Sequence, residues 1–233
     1  MIKCVDISHH NGVVDFDKLK ENGINSVIIR AGYGSSTIDK NFKTNIEKAL
    51  SKNFNVGVYW FGYAYTVDQA EKEGDFCAKT IEPYKSDLSL PVFYDWEEDS
   101  FNYAKRQGVT VSKQQCTDMT EAFCYVLEKN GYFSGFYSNI DYLNRFYQDD
   151  IKKRFSLWVA QWAKECTYKG QYDIWQYTDN LNIDGKKFDG NYIQTDIIQR
   201  VKNFYNKNET SEITEIDKYK KAIEDIKKIV NEV

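Results

Sequence analysis

The chain has 233 residues, and its 31 basic and 35 acidic side chains give a formal net charge of -4 at pH 7. Its charged fraction of 28% and hydrophobic fraction of 42% are typical of globular proteins, which excludes a disordered or collagen-like chain. The lack of a positive excess argues against a nucleic-acid partner, because contacts from Lys and Arg to phosphates dominate that affinity.

The start of the chain does not resemble a secretory signal peptide. Residues 1–12 alternate apolar and polar side chains and lack the apolar core that such a peptide requires. No run of about 18 apolar residues occurs, so we expect no membrane-spanning helix and no membrane partner. These features predict a protein that is made in the cytoplasm without a signal peptide.

Short β-rich segments alternate with helical segments along the chain. The predicted strands are Lys3–Ile7, Ser26–Ala31, Asn55–Phe61, Leu90–Asp95, Tyr132–Tyr137, Leu157–Gln161, Ile174–Tyr177 and a weak last strand near Phe188. The predicted helices are Asp15–Asn22, Lys40–Lys52, Val67–Tyr84, Ser112–Asn130 and Asp141–Phe146. This alternation predicts βαβ units and a mostly parallel sheet.

The number of predicted strands favours a closed sheet. Eight strands within the first 205 residues fit a single α/β barrel, a fold that occupies roughly 200–250 residues. The connections after the fifth predicted strand are too short for full helices. The sequence therefore predicts the α/β class, with an irregular eight-stranded (β/α) barrel that has fewer helices than strands.

Acidic residues follow three of the predicted strands. Enzymes with this fold place their chemistry at the carboxyl ends of the strands. The first strand ends at Asp6, the fourth ends in Tyr94-Asp95-Trp96-Glu97, and the last in Phe188-Asp189-Gly190-Asn191. Residues two apart on a strand share a face and lie about 6.6–6.8 Å apart between Cα atoms, so Asp95 and Glu97 can act together.

Two carboxyl groups on one face are what glycoside hydrolysis needs, since one protonates the leaving oxygen and the other supports charge at the sugar carbon. Crowding with Asp6 and Asp189 would raise the pKa of one group and keep another ionised. The alternative interpretation of Asp95 and Glu97 is a pair of solvated ion-pair partners at a strand end. The spacing of Asp95 and Glu97 alone does not distinguish between a catalytic pair and two ion-pair partners.

Seven stretches, in order along residues 1–205, carry a resemblance to a known family. They are VDISHHNGVVDF (Val5–Phe16), VIIRAGYG (Val27–Gly34), NVGVYWFGYA (Asn55–Ala64), LPVFYDWEE (Leu90–Glu98), GFYSN (Gly135–Asn139), LWVAQWA (Leu157–Ala163), and IWQYT with FDGN (Ile174–Thr178, Phe188–Asn191). Together they resemble glycoside hydrolase family 25, the muramidases or Chalaropsis-type lysozymes common among bacteriophage endolysins. The resemblance implies a flattened eight-stranded barrel.

The resemblance also implies a reaction and roles for the four acidic residues. The reaction is hydrolysis of the β-1,4 bond between N-acetylmuramic acid and N-acetylglucosamine in bacterial peptidoglycan, without a cofactor or a metal. Glu97 would be the general acid and then the base. Asp95 would assist the 2-acetamido group as it attacks the anomeric carbon, with net retention; direct nucleophilic attack by Asp95 is the rival mechanism. Asp6 and Asp189 match the two other acidic positions.

Two other functions remain open for such a barrel. An N-acetylglucosaminidase or chitinase-type hydrolase would use the same pair of acidic residues on a different bond. A non-catalytic glycan-binding barrel would keep the aromatic groove, although the retained Asp95 and Glu97 argue against it. For a phage-type muramidase, we expect release at lysis and action on the bacterial cell wall.

Aromatic side chains and one arginine near predicted strand ends are candidates for substrate binding, because rings stack on sugar faces and phenols hydrogen-bond hydroxyls. The alternative for each ring is core packing, and for the arginine a structural salt bridge. The candidates are Tyr63, Tyr177, Arg30, Tyr33, Trp162 and Trp175. The only histidines, His9 and His10, are adjacent and would point to opposite faces of a strand, which leaves a zinc site without enough ligands.

The tail differs from the rest of the chain. We expect a catalytic barrel over residues 1–205 and a linker with a C-terminal amphipathic helix over residues 206–233. Apolar residues repeat there at heptad spacing, at Ile216, Tyr219, Ile223, Ile226, Val230 and Val233. The helix could pack on its own domain, mediate self-association or mark attachment to a wall-binding region.

Overall fold

The computed structural model describes residues 1–207, in which strands and helices alternate for most of the chain. The strands are β1 (Ile2–Ile7), β2 (Ser26–Tyr33), β3 (Thr37–Ile38), β4 (Asn55–Phe61), β5 (Val92–Asp95), β6 (Ser134–Asn139), β7 (Ser156–Ala160), β8 (Ile174–Ile183) and β9 (Lys186–Ile193). The helices are α1 (Phe16–Glu21), α2 (Phe42–Ser51), α3 (Val67–Ile81), α4 (Glu98–Arg106), α5 (Lys113–Lys129), α6 (Ile140–Phe146) and α7 (Ile151–Arg154), followed by α8 (197–207).

Eight of these strands close into a barrel. Strands β1, β2 and β4 to β7 run parallel and β8 continues them, while β9 turns back and pairs antiparallel with both β8 and β1. The ring closes where Asp6 of β1 lies opposite Asp189 of β9. The short β3 is a hairpin partner of β2 outside the ring. No helix occurs between β7 and β8 or between β8 and β9. The predicted irregular barrel is therefore confirmed.

Apolar strands and capped helices explain most of this architecture. The parallel strand β2 is buried along nearly its whole length, as expected for strands covered on both faces. Helix α3 begins where the Thr66 side chain accepts a hydrogen bond from the backbone N–H of Gln69, and Ser112 caps α5 in the same way. These side chains satisfy N–H groups that have no partner within the helix, and thereby fix where each helix starts.

Inward-facing aromatic rings fill the barrel interior. The Trp158 ring lies 4.7 Å from the Tyr137 ring, 5.4 Å from Phe93 and 6.0 Å from Tyr59, measured between centroids. Three of these rings also line the cavity at the carboxyl edge of the parallel strands. They form a rigid apolar floor beneath the polar groups at that edge.

Helix α8 packs against the barrel near its end. Its residues Ile197 and Val201 are fully buried, and the Phe204 ring lies 5.5 Å from that of Phe133. The predicted tail helix falls almost entirely on residues 208–233, outside the described residues. None of the helices in residues 1–207 combines the length and the apolar character needed to cross a membrane.

Candidate active site

A cavity of about 330 Å³ opens at the carboxyl edge of the parallel strands. All four acidic residues singled out from the sequence line it: Asp6, Asp95, Glu97 and Asp189. They arrive from β1, from the end of β5 and the residue two positions beyond it, and from β9, so closure of the barrel brings together residues that are up to 183 positions apart. The structure thus gathers carboxyl groups from three strands into one pocket.

The end of β5 and the two residues after it send alternate side chains to opposite sides. Asp95 and Glu97 line the cavity, whereas Trp96 points away, where its ring N–H donates to the Ala64 carbonyl oxygen over 2.9 Å. Glu97 is also the residue that precedes α4, and its backbone N–H donates to the Ser100 hydroxyl oxygen over 3.1 Å. An anchored Trp96 and the start of a helix therefore fix both carboxyl groups.

Asp6 is held by two amide side chains. Its Oδ2 accepts hydrogen bonds from Asn191 Nδ2 over 2.7 Å and from Gln176 Nε2 over 3.0 Å. These amides are fixed in turn, since Trp158 Nε1 donates to Asn191 Oδ1 over 2.8 Å and the Tyr137 hydroxyl donates to Gln176 Oε1 over 3.1 Å. The network orients Asp6 and links it to the aromatic floor.

Asp95 is different, because one of its oxygens lacks a partner. Its Oδ1 is buried, and no donor among the described residues forms a hydrogen bond with it. Buried polar groups in folded proteins nearly always have a partner, since leaving one unpaired costs about 1–3 kcal/mol. The Asp95 oxygen is thus a ready acceptor for a donor from a bound molecule.

Burial and mutual repulsion raise the pKa of every carboxyl group in the cavity. For Asp6 and Asp95 burial is the larger cause, and the pKa of each is further raised by a neighbouring carboxylate, Asp189 and Glu97 respectively. Burial, followed by the charges of Asp99 and Asp189, raises the pKa of Glu97 to about 7. Burial raises the pKa of Asp189 to about 6. Near neutral pH, Glu97 can therefore carry a proton.

Arg30 supplies the positive charge at the cavity wall. Its Nε donates to Asp39 Oδ2 over 2.9 Å, and the same carboxylate oxygen lies 2.8 Å from His9 Nδ1. Burial would raise the pKa of Asp39, but hydrogen bonds from the Asn41 backbone, His9 and Arg30 lower it overall. Arg30 thus forms a structural ion pair with Asp39 and also lines the cavity, and its binding of substrate stays a prediction.

The predicted aromatic residues divide into three groups. Trp162 lines the cavity, with its ring N–H donating to Gln176 Oε1 over 3.1 Å and 60% of the residue exposed. Tyr33 and Tyr63 line an adjoining cavity. Trp175 and Tyr177 line neither, because Gln176 between them points into the barrel and successive residues of a strand face opposite sides. The structure does not bring these last two side chains to the site.

Several residues of the cavity were missed from the sequence. Gln176, Tyr59, Tyr137 and Trp158 line it, and Asn191 does not line it but donates a hydrogen bond to Asp6. Asn191 lies two residues from Asp189 on the same strand, so strand alternation could have placed it on the same face. Gln176 carried no such signal, since aromatic residues flank it on both sides.

An α/β barrel with paired carboxyl groups at its strand ends has the architecture of a glycoside hydrolase. The comparison with protein families agrees with this class. The model of glycosyl hydrolases family 25 matches residues 5–186, and the chain belongs to this family.

Known relatives extend the comparison. The autolytic lysozyme of Clostridium acetobutylicum is 24% identical over 190 residues, which are 79% of this chain and 52% of that protein. The chain therefore spans about half the length of this curated relative. The modular autolysin LytC from Streptococcus pneumoniae is 27% identical, with a TM-score of 0.70 over 81% of this chain and 46% of that one. It has also been solved with a synthetic peptidoglycan ligand.

The CTP1L endolysin is similar in fold. Its TM-score is 0.73 at 24% identity, and the match covers 87% of this chain and 70% of that chain. A likeness at this identity supports the barrel and its topology.

Proposed function

We propose that the chain is a muramidase, which hydrolyses the β-1,4 bond between N-acetylmuramic acid and N-acetylglucosamine in bacterial peptidoglycan. The observation that carries the proposal is the pair of carboxyl groups at the carboxyl end of β5, in which burial and neighbouring charges raise the pKa of Glu97 to about 7 and buried Asp95 Oδ1 has no donor among the described residues. One group can hold a proton and the other can accept a hydrogen bond from the substrate. Family membership and the lysozyme among the relatives support the same substrate.

In the first step, Glu97 gives its proton to the glycosidic oxygen as the bond to the anomeric carbon breaks. A carboxyl group whose pKa lies near the working pH suits this task, because it is protonated often enough and also releases its proton readily. The leaving sugar departs as an alcohol, and Glu97 becomes a carboxylate. The raised pKa comes from burial and from neighbouring charges, so the fold itself prepares the acid.

Asp95 assists the sugar's own 2-acetamido group. Its unpartnered Oδ1 accepts the amide N–H of that group, which turns the acetamido oxygen toward the anomeric carbon. That oxygen bonds to the carbon from the face opposite the leaving group. A water molecule then opens the resulting ring while Glu97 takes up a proton from the water. Two displacements at the same carbon give net retention.

The test is the release of new reducing ends from purified peptidoglycan. Glu97→Gln should lower the rate about 10²–10⁴-fold, since that is what general acid catalysis typically supplies. The matched control is Glu71→Gln, which makes the same change at an exposed residue of α3 outside the cavity and should keep the wild-type rate. A Glu97→Gln protein that released reducing ends at the wild-type rate would overturn the proposal.

Mass spectrometry of the products separates the alternatives. Muramic acid at the new reducing end supports a muramidase, whereas glucosamine there supports an N-acetylglucosaminidase or chitinase-type hydrolase. No soluble sugar product at all would support a non-catalytic glycan-binding barrel. A sugar ester on Asp95, trapped by rapid quenching, would favour direct nucleophilic attack over participation of the acetamido group.

We further infer that residues 1–205 form the catalytic unit and that it acts on the cell wall. Tyr205 of α8 is buried against the barrel, which supports a boundary near that position. Light scattering of a chain ending at Tyr205 tests the role of residues 206–233. A lower oligomeric state than the full chain would support self-association through the tail, and an unchanged monomer would exclude it.

A further inference from the structure

A second cavity adjoins the catalytic one at the same edge of the barrel. Its volume is about 570 Å³, compared with about 330 Å³ for the catalytic cavity. We name it the tyrosine basin, after its main lining residues: Tyr33, Tyr63, Tyr65, Tyr103 and Arg106. They come from the ends of β2 and β4 and from α4.

The tyrosine basin lies beside the catalytic cavity. Phe61 lines the catalytic cavity, and its ring lies 5.1 Å from that of Tyr63 in the basin. Arg30 also lines the catalytic cavity, and its guanidinium carbon lies 5.5 Å from the centre of the Tyr33 ring. A polymer held at the four carboxyl groups could therefore extend into the basin without leaving the protein surface.

The rings of the basin form a fixed surface. The Tyr63 ring lies 6.4 Å from the Tyr33 ring and 5.2 Å from the Tyr103 ring, while the Tyr65 ring lies 6.2 Å from that of Tyr103. Within residues 1–207, none of these four phenol hydroxyls takes part in a hydrogen bond. The surface thus offers both ring faces and hydroxyl groups to a polar ligand.

The floor of the basin is closed. Glu73 is buried beneath it, and its two oxygens accept the Tyr63 backbone N–H and the Tyr94 hydroxyl, each over 2.9 Å. These contacts occupy the carboxylate and hold the loop that carries Tyr63. Arg106 at the rim is the cation that lines the basin, while burial, followed by the charge of Asp99, raises the pKa of Tyr63, so a carboxylate also lies near the basin.

The charge on one face of helix α4 changes from negative at the start of the helix to positive at its end. Asp99, Tyr103 and Arg106 recur at intervals of four and three residues, so they share one face of the helix. Asp99 lies in the first turn of the helix, where its charge adds to burial in raising the pKa of both Glu97 and Tyr63. Arg106 lies about 10 Å further along the axis, given a rise of about 1.5 Å per residue.

Arg106 is available to a ligand. It is exposed and makes no ion pair within the described residues, and its guanidinium carbon lies 5.9 Å from the centre of the Tyr103 ring. A guanidinium held over a ring is well placed to bind a carboxylate through two parallel hydrogen bonds. A neutral sugar would not require that charge.

We propose that the tyrosine basin binds the carboxylated lactyl-peptide branch of a muramic acid unit, with Arg106 pairing with a carboxylate of that branch. This inference rests on the proposed function for its substrate. The four crowded carboxyl groups disfavour an anion in the catalytic cavity, whereas the far end of α4 favours one. The enzyme would thus recognise the peptide branch of the polymer as well as its sugar backbone.

The test compares soluble, uncross-linked peptidoglycan strands with the same strands after their carboxylates are converted to amides. Arg106→Gln should raise KM about fivefold to tenfold on native strands, as expected for loss of one partly exposed charge-assisted contact, and leave kcat within twofold. On amidated strands the variant should match the wild type. Lys105→Gln, the same charge change at the adjacent exposed residue of α4, should have no effect on either substrate.

A binding measurement keeps the test independent of catalysis. The free lactyl-tetrapeptide, which cannot be cleaved, is titrated into the wild type and into Arg106→Gln while NMR shifts are followed. A higher Kd for the variant, which means weaker binding, supports the inference. It does so even if the wild type fails to release muramic acid, and in that case only the proposed function fails. Equal Kd values, or equal KM changes on native and amidated strands, would overturn the role of the basin.

Discussion

Buried carboxylates occur at both ends of the barrel, in opposite surroundings. At the amino end of β7 and β8, Asp173 accepts hydrogen bonds from the Ser156 hydroxyl over 2.6 Å and from the Thr195 hydroxyl over 2.9 Å, and it forms an ion pair with Arg200. At the carboxyl end, Asp95 has an oxygen without a partner among the described residues, and its nearest charged neighbours include other acids.

The difference is that Asp173 stabilises the fold, whereas the carboxyl groups of the catalytic cavity destabilise it. A buried carboxylate with donors and a counter-charge contributes to stability, whereas an uncompensated one costs free energy. Such a cost persists in a stable protein only where the surrounding structure holds it in place. The floor of rings and amides under the catalytic cavity provides that support.

The largest expected effect on stability is at the amino end. Asp173→Ala should lower the free energy of unfolding by about 2–4 kcal/mol, because it leaves a cation and two hydroxyls without their shared acceptor. Urea denaturation measures the change. The activity of each folded molecule should stay at the wild-type level, since Asp173 lies outside both cavities at the carboxyl end.

The control for this variant is Asp149→Ala. Its carboxylate is 84% exposed and forms an ion pair with Lys152, so its loss should cost less than about 1 kcal/mol. Equal losses in the two variants would contradict the contrast between the two ends, because a satisfied buried carboxylate would then be worth no more than an exposed one.

At the carboxyl end, removal of a carboxylate should raise the free energy of unfolding instead of lowering it. The folded-state pKa of Glu97 is about 7 and the ordinary value 4.5, so the folded protein binds the extra proton and wild-type stability falls as pH rises from about 4.5 to 7. The substitution Glu97→Gln removes this fall in stability with rising pH. It should raise the free energy of unfolding by about 1–3 kcal/mol at pH 8, after discounting for partial exposure, and by nearly nothing at pH 4.

Urea midpoints at the two pH values test this expectation. Glu71→Gln serves as the control and should shift neither midpoint, because that residue is exposed and lies outside the cavity. If Glu97→Gln were less stable than the wild type at pH 8, Glu97 would be a stabilising partner and the crowding of the catalytic cavity would have no energetic cost.

The sequence predicted those parts of the molecule that depend on local pattern. Alternation after β5 correctly placed Asp95 and Glu97 on one side and Trp96 on the other. The long β8–β9 hairpin was not predicted, although its turn at Asp184 and Gly185 has positive φ at both residues and an Asp-Gly pair, a strong local signal. Helix α4 was also missed, since its buried positions are few.

Contacts between residues that are distant in the sequence explain the parts of the site that were not predicted. Gln176 and Asn191 reach Asp6 across 170 and 185 positions of sequence, and no local pattern encodes such a pairing. On β8 the sequence could not fix which face is inward, because rings flank Gln176 on both sides and a strand covered on both faces accepts rings on either. The choice of Trp175 and Tyr177 as site residues followed from that ambiguity.

The smallest expected effect compares Trp162, which follows β7 and contacts the inward-facing Gln176, with Tyr177 on the outer face of β8. Trp162→Leu removes an exposed ring beside the carboxyl groups and should raise KM about threefold to tenfold, since aromatic contacts of this kind contribute about 0.5–1.5 kcal/mol. Tyr177→Leu removes a ring that stacks on Tyr192 at 4.5 Å, away from the cavity, and should leave KM within twofold. Steady-state kinetics on soluble peptidoglycan strands compare them. A larger KM for Tyr177→Leu than for Trp162→Leu would mean that the substrate crosses the outer face of β8, and that the catalytic cavity alone does not define the groove.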